Sequence, residues 1–220
     1  MIRLVHLSLS LALSAASVSV ASAAPANPAP ASATDPAPVL QRTEALINAF
    51  KQVKRAPEGT PLTAAQRAEN AKTFAVLDGL LASEVISSTP ITPHQAAFKP
   101  EQLETFKTLF WQTLRLVAYP DSGQFFEDAK YTLAAPVQSG LRFDIKMHAE
   151  LEEQDIETDV VFHWQAINGT LRVVDVSFDG ASLMTDYTNQ FGRIIKKKGA
   201  AGLMAILQKK HDQVQKALGH

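Results

Sequence analysis

Cysteine is absent from the 220 residues, which excludes disulfides, thiol nucleophiles and cysteine-ligated metal. Any exported form must therefore be stable without covalent staples. Charge of one sign is also lacking: 21 Lys and Arg stand against 22 Asp and Glu, leaving a net -1. No global field draws such a chain toward nucleic acid or an anionic membrane. Past the N-terminus no apolar run approaches the roughly 20 residues that a bilayer span needs. No internal repeat is visible either.

What is present begins with MIRLVHLSLSLALSAASVSVASA. Arg3 supplies a positive start, Leu4 to Ala16 an apolar stretch, and Ala21-Ser22-Ala23 a small-residue cleavage pattern. Residues 1–23 read as a secretory signal peptide; as a membrane anchor the run is too short and broken by serines. Residues 24–38 are alanine and proline with almost nothing to bury, a flexible and partly extended tether. The remainder, 39–218, suits a single domain large enough to hold a core.

From Val39 the pattern is helical, with Leu40, Thr43, Leu46, Ile47, Phe50 and Val53 on one stripe and Pro57-Glu58-Gly59 ending it. Thr63 followed by Gln66 is a capping-box pattern that opens a second helix burying Phe74, Leu77, Leu81 and Val85. Pro90 and Pro93 bracket a connector. Pro100 starts a third helix, with Leu103, Phe106, Phe110, Leu114 and Val117 facing one way and Tyr119-Pro120 closing it. After a turn at Asp121-Ser122-Gly123 the period falls to two. Tyr131, Leu133 and Ala135 alternate with polar neighbours; Leu141, Phe143, Ile145 and Met147 follow; then Ile156, Val160, Phe162 and Trp164. Asn168-Gly169 signals a two-residue hairpin before a strand from Leu171 to Phe178. Helices, a meander of strands, then helices predict an α+β domain: an antiparallel twisted sheet of about four strands enclosed by helices.

The closing stretch, Asp179 to Leu207, carries the most specific pattern. Leu183, Tyr187, Phe191, Ile194 and Ile195 recur at helical spacing. Gly199 breaks that helix behind three lysines, and Leu203, Met204, Ile206 and Leu207 restart it. Gly180, Ser182, Leu183, Tyr187, Gln190, Phe191, Ile194, Ile195, Gly199 and Leu203 fall in register on one pattern. In these positions the chain resembles the MlaC-like, or toluene-tolerance auxiliary, family of periplasmic phospholipid-binding shuttle proteins. It departs at Leu171 and Val174, where that family commonly carries Trp and Tyr. The resemblance implies an NTF2-like or cystatin-like sheet whose helices enclose a lipid pocket. It also implies a periplasmic carrier moving diacyl phospholipid between the inner and outer membranes. Its partners would be an inner-membrane lipid ABC transporter complex and an outer-membrane lipoprotein complex, with no cofactor, no catalysis and a monomeric state.

Other chemistry competes with this reading. His148, Glu150, Glu152, Glu153, Asp155, Glu157 and His163 crowd one hairpin, but they lack a recognised zinc spacing. Gly180-Ala181-Ser182 lacks the second glycine of a nucleophile elbow, and Ser182 suits a helix N-cap. An isomerase-like enzyme on this scaffold would need an acid inside the cavity; Asp175 alternates away from Val174 and Val176. Asn168-Gly169-Thr170 also matches a glycosylation acceptor. Lys196, Lys197 and Lys198 suit a helix end, or an encounter with lipid phosphate or an acidic partner. An enzyme, or a structural module with a filled core, are the competing classes.

The inward set drawn from periodicity is Leu114, Val117, Tyr131, Leu133, Phe143, Ile145, Met147, Val160, Phe162, Trp164, Val174, Val176, Phe178, Leu183 and Tyr187. Periodicity alone cannot separate a filled core from a space left open for a ligand. By resemblance, part of this set is expected to bind lipid.

Overall fold

The computed structural model describes residues 37–55 and 60–218, so the signal-peptide pattern, most of the tether and Pro57-Glu58-Gly59 lie outside the described residues. Five helices and six strands follow one another as helices, sheet, helix. The first helix, α1 (Ala37–Lys51), buries Thr43, Leu46, Ile47 and Phe50. The next, α2 (Ala64–Leu80), starts on the expected capping box. The Thr63 hydroxyl accepts from the Gln66 N–H at 3.2 Å, and the Gln66 side chain accepts from the Thr63 N–H at 2.9 Å. A short α3 (Ser83–Ser88) and a 3₁₀ turn (Thr92–Ala97) fill the proline-bracketed connector.

Pro100 begins α4 (Pro100–Asp128), as its fixed φ and missing N–H favour, but Pro120 does not end it. The helix continues for eight residues, absorbing the expected turn at Asp121-Ser122-Gly123. Proline removes the bond to the Leu116 carbonyl, and in an isolated helix this costs about 3 kcal/mol. Tertiary contact outweighs that here. Phe126 stacks at 5.6 Å on Phe50, and Gly123 lets α4 lie directly on α1.

The sheet is antiparallel and six-stranded, in the order β1-β3-β4-β5-β6, with β2 also pairing β3. Its long members are β3 (Arg142–Leu151), β4 (Ile156–Ile167) and β5 (Thr170–Phe178). The shorter β1 (Lys130–Leu133) and β2 (Val137–Ser139) share one edge of β3, while β6 (Ala181–Ser182) borders β5. The two strands beyond the expected four are two and three residues long, too short to show a period. Leu141, expected inward, instead forms the β2–β3 turn with Gly140 and is 77% exposed. The β4–β5 hairpin turns at Asn168 (φ 50°) and Gly169 (φ 77°), the paired positive values that a type I′ turn requires.

The last element, α5 (Leu183–Leu218), is interrupted at Gly199 (φ 69°, ψ 177°), so it is two helical legs across a glycine kink. Phe191 and Tyr187 of its first leg meet Phe106 and Phe110 of α4 in a ring cluster, with centroids 5.1–5.8 Å apart. The second leg returns to α4, where the buried Thr113 hydroxyl lies 3.3 Å from His211 Nδ1. No helix among the described residues is long and apolar enough to cross a membrane.

A Cβ at position 123 would lie 2.7 Å from the Phe50 carbonyl oxygen, whereas one at Gly79 in α2 meets nothing. Gly123→Ala is therefore expected to destabilise by about 1–3 kcal/mol. Gly79→Ala should instead stabilise by about 0.5–1 kcal/mol through helix propensity. Urea unfolding of the two variants measures both signs, and equal shifts would contradict the close α1–α4 contact.

Candidate functional site

Along α4 the i, i+4 neighbours read Phe106, Phe110, Leu114, Ala118, Ser122 and Phe126. Such residues form one ridge of a helix surface. Phe106 and Phe110 fill their end of the interior with rings. Where the ridge shrinks to Ala118 and Ser122, a cavity of about 130 Å³ opens, and Phe126 closes its far side against Phe162 at 6.4 Å.

The wall is contributed by every layer. From α4 come Trp111, Leu114, Ala118, Tyr119, Asp121, Ser122, Phe125 and Phe126. Leu46 and Phe50 of α1, and Leu81 and Ile86 at the α2–α3 junction, close one side. The floor is Val160 and Phe162 of β4 with Val173, Asp175, Val176 and Phe178 of β5. Leu183 and Met184 at the start of α5 complete it. The rim is half-buried: Trp111, Ala118, Asp121 and Phe125 on one lip, Val176, Phe178 and Leu183 on the other.

Polar groups in the wall are largely committed. The Tyr119 hydroxyl donates to Asp78 Oδ1 at 2.8 Å, and Arg115 holds Asp78 Oδ2 at 2.8 Å while its guanidinium lies 5.4 Å above the Phe74 ring. Burial, reinforced by the Asp78 charge, pushes the Tyr119 phenol well above the ordinary tyrosine range. Asp175 Oδ1 accepts from the Val176 N–H at 2.8 Å and the Met184 N–H at 3.2 Å; its Oδ2 accepts from the Ser182 hydroxyl at 2.5 Å. Ser182 in turn accepts from the Thr185 N–H at 3.1 Å, the N-cap role expected of it. Asp175 thus braces the α5 start from the last long strand.

Asp175, expected to turn from the cavity, is among its lining residues, where its carboxylate reaches the start of α5; β4 and β5 slip register just beyond it, between His163 and Trp164. That shift pairs Trp164 with Val173 rather than Val174, and it brings Val173 into the wall. Of the inward set, Leu114, Val160, Phe162, Val176, Phe178 and Leu183 line the cavity. Phe143, Ile145, Met147, Trp164 and Val174 are buried but outside its lining. Tyr187 belongs to the ring cluster. Val117, Tyr131 and Leu133 are half-buried around the core, with Tyr131 6.5 Å from Phe126 and beneath Lys51 Nζ at 4.9 Å.

The opposite, polar face of the sheet carries a second constellation. Asp144 Oδ1 lies 2.7 Å from His163 Nδ1, and His163 Nε2 lies 2.7 Å from the Ser177 hydroxyl. This is the spacing of an acid–base–nucleophile relay, but it lacks a substrate approach. Ser177 is 6% exposed, and its strand is paired on both sides, to Val161 of β4 and Ser182 of β6. The relay satisfies three polar side chains under a bulge. His148, nearby, lies 3.0 Å from Asp159 and 3.7 Å from Glu150; Lys196, Lys197 and Lys198 are solvent-exposed.

Sequence reasoning missed the wall residues from Tyr119 to Phe126 because it stopped the helix at Pro120. The continuing ridge at Ser122 and Phe126 was the available signal.

A family model described as MlaC protein matches residues 43–209. The fold is similar to that of a phospholipid-binding protein from Ralstonia solanacearum, solved in complex with a phospholipid. The TM-score is 0.60 at 15% identity, covering 81% of this chain and 97% of that one. No curated protein sequence matches the chain.

Two outcomes follow for the wall. Asp175→Ala removes three acceptor contacts at the α5 start and should cost about 1–3 kcal/mol in urea unfolding; an unchanged midpoint would contradict the bracing role. Tyr119 has a raised folded pKa, so its stabilisation is present below the unfolded value of about 10 and lost as pH climbs beyond it. Alkaline ultraviolet titrations of wild type and Tyr119→Phe should coincide until unfolding. A phenolate in the wild type alone, before unfolding, would overturn the assignment.

Proposed function

The chain belongs to the MlaC protein family, and we propose that it is a periplasmic carrier for diacyl phospholipid, with the acyl chains in the cavity beneath α4. The observation that carries this reading is the α4 ridge itself: an apolar wall left underfilled at Ala118 and Ser122 within this family's fold. Support also comes from the similar fold of the Ralstonia protein, which was solved holding a phospholipid.

The energetics explain why a carrier is needed. Each methylene exposed to water costs about 0.8 kcal/mol, so two chains with roughly 30 methylenes cost over 20 kcal/mol. A wall as apolar as the bilayer cancels most of that cost, and transfer becomes nearly isoenergetic. Direction is then set by docking. In this reading the partners are an inner-membrane lipid ABC transporter complex and an outer-membrane lipoprotein complex, and the export pattern of residues 1–23 supports the periplasmic address.

At about 130 Å³ the cavity is on the scale of an engineered cavity of about 150 Å³ that holds one benzene ring. Acyl chains therefore require the wall to part. The half-buried rim between α4 and the β5–α5 junction is the line along which it opens, with the Asp78–Arg115–Tyr119 contacts holding α2 to α4 behind it.

The test is to express the chain with its leader, purify it, extract with organic solvent and weigh lipid by mass spectrometry. About one phospholipid per protein is expected. Val176→Glu or Leu183→Glu, each placing a carboxylate in the apolar lining at a cost of several kcal/mol, should lower retained lipid more than tenfold while the protein stays folded by circular dichroism. Lipid-free wild-type protein, or full retention in both variants, would overturn the reading.

A further inference from the structure

Two charged side chains line the cavity, and they differ in what they are bound to. The Asp175 carboxylate is consumed by two backbone N–H groups and the Ser182 hydroxyl. Asp121 is not. Among the described residues it accepts no hydrogen bond, and its closest cation is Arg55 Nη2 at 3.9 Å, longer than a hydrogen bond. Its side chain is 36% exposed, so it stands where the apolar hole meets water.

The charges around it alternate in sign. Arg55 is half-exposed and shares its guanidinium with the Gln124 side chain at 3.5 Å. Lys210, from the second leg of α5, adds a further positive field that pulls the Asp121 pKa down. Burial opposes both cations and outweighs them, leaving the Asp121 carboxyl above the ordinary range. A carboxylate so placed gains from any additional cation that reaches it. Ser122, beside it in the wall, offers a hydroxyl.

We propose that Asp121 reads the lipid headgroup, favouring phospholipids whose phosphate carries a primary ammonium over those ending in glycerol. This rests on the carrier reading above. A phosphate is common to both classes and so does not distinguish them. The classes differ in the terminal group, an ammonium or a pair of hydroxyls. An ammonium adds a second cation beside Arg55 at the Asp121 carboxylate, whereas a glycerol headgroup brings it the negative phosphate and no added positive charge. Because the pair is partly exposed, the selectivity is modest.

The experiment loads the full chain from vesicles of phosphatidylethanolamine and phosphatidylglycerol in equal amounts with identical acyl chains, then compares the two classes in the bound fraction by mass spectrometry. Wild type should be enriched in the ethanolamine lipid about two- to fivefold. Asp121→Asn should bring the ratio near parity, and Asp121→Glu should restore it; thermal melting checks that each variant is folded. Parity in the wild type, or an unchanged ratio in Asp121→Asn, overturns the headgroup assignment while leaving the carrier reading intact. Absence of lipid from the wild type overturns both.

Discussion

Everything in this fold depends on how α4 lies across the sheet. It is 29 residues long, about 44 Å of helix, and it does two different jobs along that length. In its first half Phe106 and Phe110 pack against Tyr187 and Phe191, and the interior is filled. Each such ring contributes about 1.5–3 kcal/mol by leaving water, so this end anchors α5 to the body. In its second half the same ridge carries Ala118 and Ser122, and the filling stops. The plugged end holds the fold together beside an end that is left underfilled. The plug makes the underfilled end affordable.

The polar groups follow the same division. Those behind the cavity are tied down: Tyr119 and Arg115 to Asp78, and Asp175 to the start of α5. On the far face of the sheet, Asp144, His163 and Ser177 close on one another, so a buried imidazole is satisfied from both nitrogens without reaching the interior. Rigidity is thus concentrated around the cavity rather than in it. The proposed carrier role fits this arrangement, in which the lining exchanges one apolar neighbour for another within a hydrogen-bonded frame.

Much of this was legible in the sequence, for identifiable reasons. The alternation of Phe143, Ile145 and Met147, the Asn168-Gly169 turn, the Thr63–Gln66 box and the Ser182 cap each rest on local geometry that the chain carries with it. The break at Gly199 belongs with them. The failures are tertiary. Pro120 is a local stop signal, overridden because Gly123 and Phe126 find α1 and β4. The β4–β5 bulge inserts a residue that alternation cannot foresee, and it moves Val173 into the wall at the expense of Val174. Phe143 and Ile145 were equally good candidates by period, yet they are core, because only the shape of the opposing helix decides where space remains.

The central claim is that hydrocarbon enters where the α4 ridge falls to Ala118 and Ser122, widening a cavity that is small without it. A crystal structure of the lipid-loaded protein tests it most directly. The account predicts acyl density between α4 and β5, against Leu114, Phe162 and Val176, in a space several times the lipid-free volume of about 130 Å³. Lipid bound elsewhere, with that cavity unchanged, would contradict it.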